Sequence, residues 1–178
     1  MSDDLPRTVS KARMRSRDRT VSRGEKRAAA RLAAVQALYQ MEIAAKGLNE
    51  IFAEFESFWL GREIEGDQYK PAEAALFRAI VEGVLADQVA IDRAADAVLA
   101  GWPLKRIEAI MRATLRAGVF ELKHSEQVPV RVILSEYVDI ASAFLEKDEV
   151  GMVNAVLDRL ARDHRAEELA RPVERREG

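Results

Sequence analysis

The chain has 178 residues, of which 48% are apolar, 33% charged and only 6% aromatic, with no cysteine at all. That excludes disulfides and thiolate metal sites, and no run approaches the roughly 20 consecutive apolar residues of a membrane span. The net charge of −2 hides a split: residues 1–31 carry 10 basic against 4 acidic side chains, and residues 32–178 carry 18 against 26.

The cationic start consists of Arg7, Lys11, Arg13, Arg15, Arg17, Arg19, Arg23, Lys26, Arg27 and Arg31. Residues 1–22 lack apolar periodicity, and their charge and Ser/Thr content predict a disordered leader. No apolar segment follows the basic residues, so a secretory signal is not expected. Helix is expected from about Glu25. Leu32, Val35, Leu38, Tyr39 and Ile43 recur at spacings of three and four and define one apolar stripe. Lys46-Gly47 ends it. Asn49 is the expected N-cap of a second helix with Ile51, Phe52, Phe55, Phe58 and Trp59, and 61–70 reads as a polar loop.

Pro71 suits the first position of a third helix. Its stripe of Leu76, Phe77, Ile80, Val81, Val84 and Leu85 continues through Ile91, Val98 and Leu99. This is either one very long helix or two with a bend near Gly83 to Gln88. Gly101-Trp102-Pro103 is a strong break. A helical stretch from Leu104 to Leu122 follows, then a turn over His124 to Val128. Pro129 opens a helix with Val132, Ile133, Tyr137, Ile140 and Phe144. After Glu146-Lys147-Asp148 a last helix carries Val150, Val153, Val156, Leu157 and Leu160. Residues 165–178 are expected to be charged and frayed. The pattern gives an all-α bundle of about six or seven helices and no strand pair, with residues 23–164 as its domain.

A cation cluster on an acidic body points to polyphosphate. Lys26, Arg27 and Arg31 fall at spacings of four and five if helix begins near Glu25, and guanidinium groups can grip phosphate bidentately or stack on exposed bases. Cations at a helix N-terminus oppose the macrodipole, a cost that an external anion would offset. A merely solvated tail is the plain alternative. His124 and His164 have no ligand-spaced neighbours, so no metal is expected. Ser135 and Ser142 have no nearby base, and the glycines form no phosphate-cradling loop. The chain reads as a binding protein without cofactor, not an enzyme. Asn154, inside an apolar run, is expected to be a buried amide. Tyr39 reads as core or as an edge ring, and the residues alone favour core.

Four ordered segments then resemble the NusB family of bacterial transcription antitermination factors. They are Arg31-Leu-Ala-Ala-Val-Gln-Ala-Leu-Tyr39; Leu76-Phe77-Arg78 with Val81-Glu82-Gly83-Val84; Trp102-Pro103-Leu104 with Leu115-Arg116 and Phe120-Glu121-Leu122; and Val128-Pro129 with Val153-Asn154-Ala155-Val156-Leu157-Asp158. The resemblance spans about residues 24–163. It implies a cytoplasmic, all-helical protein of two packed subdomains. It further implies binding to single-stranded boxA RNA of ribosomal RNA leader transcripts, together with the small-subunit ribosomal protein NusE, and loading onto RNA polymerase. The positions it implies for RNA are Arg23, Lys26, Arg27, Arg31 and Gln36. For the NusE-facing and RNA-proximal surface they are Tyr39, Phe77, Asp148 and Met152. The sequence departs from the family at Met152, usually Phe, and at Ala155, usually Gly. The usual Ile-Asn-Glu-Ala-Val reads Leu134-Ser135-Glu136-Tyr137-Val138. Three rivals stand beside this. One is a free-standing relative of the accessory domain of ribosomal RNA methyltransferases. The others are a peripheral membrane protein with a polybasic tail and a DNA-binding helical protein, the last without a visible basic recognition helix.

Overall fold

The structure, a computed structural model, describes residues 22–60 and 71–171. The expected disordered leader, apart from Ser22, lies outside these residues, as do the expected loop 61–70 and the end of the tail. The side chains of Phe58 and Trp59 are outside them too. Among the described residues there are seven α-helices and no strand: α1 (Arg23–Ala44), α2 (Leu48–Leu60), α3 (Pro71–Leu99), α4 (Ala109–His124), α5 (Val130–Phe144), α6 (Lys147–His164) and α7 (Ala166–Ala170).

The chain starts α1 two residues earlier than its periodicity suggests, because Ser22 is the N-cap and its hydroxyl accepts the Glu25 N–H at 3.1 Å. The buried face of α1 is built largely of Ala30, Ala33, Ala34 and Ala37 beside Val35 and Leu38. Small side chains let α3 and α4 approach closely. Ile43, at the end of the expected stripe, is 61% exposed. The helix stops at Ala45, which takes a left-handed conformation. The α2 helix begins at Leu48, ahead of Asn49, with the Ile51 amide donating to the Gly47 carbonyl.

Pro71 does begin α3, and both readings of its length hold a part of the truth. It is one element with a kink at Asp87, where φ −116° and ψ 16° leave the helical region. The kink is fixed from α4: Lys123 Nζ and His124 Nε2 lie 2.6 and 2.9 Å from the Asp87 carboxylate. These hydrogen bonds hold the Asp87 carboxyl below the usual carboxylate range. After α3, Ala100 and Gly101 turn the chain with positive φ. Leu104 then donates to Asp96 Oδ1 at 2.6 Å and opens a short 3₁₀ turn, Leu104–Arg106, where plain helix is expected from the sequence. The turn after α4 and the Pro129 start of α5 agree with the sequence reading.

The centre of the molecule is α4, which packs on α1 and α3 from one side and on α5 and α6 from the other. The two subdomains therefore share one helix rather than owning separate cores. Two glycines make the approach possible. A Cβ at Gly83 would sit 2.1 Å from the Phe120 ring, and one at Gly118 would sit 2.9 Å from a Leu157 methyl. The helix α6 begins with a reciprocal Glu146/Glu149 capping box and buries Val153, Val156, Leu157, Leu160 and Ala161. Asn154 and Ala155 fall on its exposed face. Asn154 is thus not a buried amide, and the extra methyl of Ala155 meets no neighbouring helix.

Arg165 also differs from its expected place in a frayed tail. It is buried, and its guanidinium donates to the carbonyls of Glu121, Leu122, Ser125 and Val128 at 2.7–3.2 Å. It thereby caps the open C-terminus of α4. Glu168 of α7 binds Arg165 at 2.8 Å and accepts the Val130 N–H at 2.9 Å, which caps α5 as well.

Candidate nucleic-acid interface

Arg23, Arg27 and Arg31 recur every fourth residue and so share one face of α1. That face meets the start of α5, and between them lies a groove of about 400 Å³. Val128, Pro129 and Val132 supply its apolar wall, and Gln127 and Glu136 its remaining polar groups. Arg23 is exposed and Arg27 half-buried, and neither makes an ion pair among the described residues. Their charge is available to an external anion.

Arg31 is a different matter. It is 2% exposed and binds Glu121 of α4 through two contacts, Nε–Oε2 at 2.7 Å and Nη2–Oε1 at 3.1 Å. The Tyr137 hydroxyl of α5 donates to the same carboxylate at 2.6 Å. Burial alone would lower the Arg31 pKa, but the Glu121 carboxylate holds it above its usual value. Burial, and then the Glu121 charge, push the Tyr137 phenol well above its ordinary range. The triad ties α1, α4 and α5 together at their junction. Its Nε and Nη2 are committed to that carboxylate, so Arg31 holds the groove's wall through an internal ion pair. Lys26 is also buried, at 7% exposure, and is not among the residues that line the groove.

Gln36 and Tyr39 lie further along α1, in a second groove of about 610 Å³. Its other walls are Glu54 and Phe55 of α2, Ile110 of α4 and Phe144 of α5. Both grooves run along the same α1–α5 seam. From Arg27 to Tyr39 the separation is about 18 Å at 1.5 Å per helical residue. The seam is cationic at its start and lined by rings at its end. Tyr39 and Phe144 are partly exposed, which suits stacking by an unpaired base.

Phe77 lies in the core. It is 4% exposed and sits between Phe52 and Phe55, with ring centroids 5.8 and 5.2 Å away. It is the aromatic anchor of α2 on α3. Asp148 is exposed in the first turn of α6 and Met152 is half-buried one turn on, so the two share a face that borders neither groove. Gln127, Glu136, Phe55 and Phe144 escaped the sequence reading as site residues. Phe144 closes the α5 stripe and could have been questioned as a stripe end, whereas Gln127 carries no sequence signal.

Among the described residues no cluster of His, Cys, Asp and Glu could hold a metal ion, and no helix is long and apolar enough to cross a membrane. Fold and seam together describe an all-helical module with two arginines, unpaired among the described residues, on the groove between α1 and α5. A profile of the NusB family matches residues 28–162, and the chain belongs to that family. It is 64% identical over 150 residues to the transcription antitermination protein NusB of Nitrobacter hamburgensis, covering 84% of this chain and 94% of the relative. It is 61% identical over 153 residues to that of Bradyrhizobium diazoefficiens, covering 85% and 93%. Among solved structures, a NusB of T. maritima superposes with a TM-score of 0.69 at 26% identity, covering 80% of this chain and 96% of that one. A structure of the antitermination factors NusB and NusE in complex with double-stranded RNA gives 0.65 at 23% identity, covering 78% and 97%.

Proposed function

We propose that this chain is an antitermination factor that binds boxA RNA along the α1–α5 seam and does so together with a NusE-type ribosomal protein, as a cytoplasmic partner of the RNA polymerase antitermination complex. The observation that carries the reading is the pairing of two unneutralised arginines, Arg23 and Arg27, with a ring-lined groove on the same helix. Arginines attract the backbone, and Tyr39, Gln36 and Phe144 offer faces and edges to splayed bases. The membership in the family and the 64% identity to an antitermination protein favour this over a stand-alone relative of a methyltransferase accessory domain. The role is binding, not catalysis.

The NusE-type protein is assigned to the exposed start of α6, around Asp148 and Met152. Neither residue lines either groove, so a protein held there leaves the groove-lining residues to the RNA. The test is a titration of single-stranded boxA RNA with and without the NusE-type protein, using the intact chain and the Arg23→Ala/Arg27→Ala variant. Affinity is expected to rise with the partner and to fall in the variant. Equal affinity for boxA and for an unrelated duplex RNA would contradict the reading.

A further inference from the structure

Glu136 is the anomaly in the cationic groove. Two carboxylates at this end are engaged, Glu121 by Arg31 and Tyr137 and Glu168 by Arg165 and the Val130 amide. Glu136 is half-buried, lines the groove, and makes no hydrogen bond or ion pair among the described residues. Arg31 is near enough for its charge to be felt, but it pairs with Glu121 and makes no hydrogen bond to Glu136. Burial pushes the Glu136 carboxyl above the usual carboxylate range, with Asp139 and Glu121 adding to the effect and Arg31 opposing it. A half-buried carboxylate with no protein donor is left to water, and a ligand that brings an N–H donor into the groove can take the water's place.

A phosphate cannot bring it. An anionic oxygen beside Glu136 would be repelled, so a groove meant for backbone alone would have no use for a carboxylate at this place. The fitting ligand is one that carries N–H donors between phosphates. Cytosine offers its N4 amine, adenine its N6 amine and guanine its N2 amine, whereas uracil has no exocyclic amine and presents carbonyl oxygens instead. The groove has room for a base, with Val128, Pro129 and Val132 as an apolar face for the ring and Gln127 as a second edge.

We infer that Glu136 is a specificity-determining residue: it accepts a hydrogen bond from the exocyclic amine of a cytosine, adenine or guanine seated in this groove and so disfavours uracil there, while Arg23 and Arg27 hold the flanking phosphates. The inference rests on the RNA-binding reading given above and adds which edge of which bases is read.

The experiment measures binding of the full chain to single-stranded RNA oligomers of one length, with each position changed in turn to uracil. Wild type is expected to show one position where replacing an amine-bearing base by uracil weakens binding about tenfold, the worth of one charge-assisted hydrogen bond. Glu136→Gln can donate as well as accept, so at that position the preference should shrink to within about twofold. Glu136→Ala should lose it too. A uniform gain in affinity for all oligomers, with the positional preference intact, would show that Glu136 only repels phosphate and would overturn the inference. So would unchanged binding in both variants. Arg23→Ala/Arg27→Ala, in the same assay, is expected to weaken all oligomers alike and to keep the preference. If that variant binds every oligomer as wild type does, the RNA reading of the groove fails, whatever Glu136 does.

Discussion

The two ends of the α1–α5 seam offer a nucleic-acid strand different things. Near Arg23 and Arg27 the surface is charged, and its attraction acts at a distance and weakens with salt. Near Tyr39 and Phe144 it is apolar and ring-lined, and its attraction acts only on contact. Between them Arg31 has the same side chain as Arg27 and the opposite use, because a carboxylate 90 residues away in the chain has claimed it. Charge in a sequence therefore says little about function until its partners are known. A free guanidinium stays available to a ligand and a paired one builds the wall.

The comparison can be broken most forcefully at the wall. Glu121→Ala leaves Arg31 and the Tyr137 hydroxyl buried without their acceptor, and about 3–5 kcal/mol of stability should be lost. Thermal unfolding would show it as a drop in Tm well beyond that of any groove variant, and an unchanged Tm would mean the triad does not tie the three helices. Tyr39→Ala acts at the ring-lined end. It should weaken RNA binding by about 1–3 kcal/mol if a base stacks there, with no change in the salt dependence. Tyr39 is partly exposed, so circular dichroism should show the fold retained. Asp148→Lys should leave RNA binding by the isolated chain as it is and reduce the gain produced by the NusE-type protein; an equal loss in both would move the partner surface onto the seam.

The smallest effect is one of pH. Burial raises the Glu136 pKa in the folded state. Its contribution to stability is therefore present in acid and is lost as the pH rises through the folded value. Glu136→Gln should match wild type below the ordinary carboxylate range and be the more stable above it. The gap should stay under about 1 kcal/mol, since the group is partly exposed and screened. Asp87, whose pKa is lowered, has the opposite sign. Its contribution is present above the ordinary carboxylate pKa and is lost as the pH falls through the folded one, so Asp87→Asn should flatten the acid limb of the stability curve.

Local signals carried most of the helix starts and stops. Pro71 and Pro129 mark where α3 and α5 begin, since proline fits a first turn and little else in a helix. The bend expected near Gly83 to Gln88 falls at Asp87. What stayed hidden depends on contacts between distant residues. Arg31 reads as one more member of a basic run, and Phe77 as one more exposed-or-buried aromatic, until α4 and α2 are laid against them. Arg165 looks like part of a charged tail because the four carbonyls it caps have no signature in side-chain chemistry. Glu121 could have been suspected, since a carboxylate between Phe120 and Leu122 on the most buried helix needs a partner. The two grooves were not legible at all, as each joins residues from several helices.

The most direct test of the seam is the salt dependence of its RNA affinity. For single strands log K falls with log salt by about 0.7 per phosphate neutralised. Removing Arg23 and Arg27 together should make the slope shallower by about 1.4, while Tyr39→Ala should give a line parallel to wild type. Parallel lines for all three proteins would contradict the account, because the arginines at the start of α1 would then not be the side chains that meet the RNA backbone.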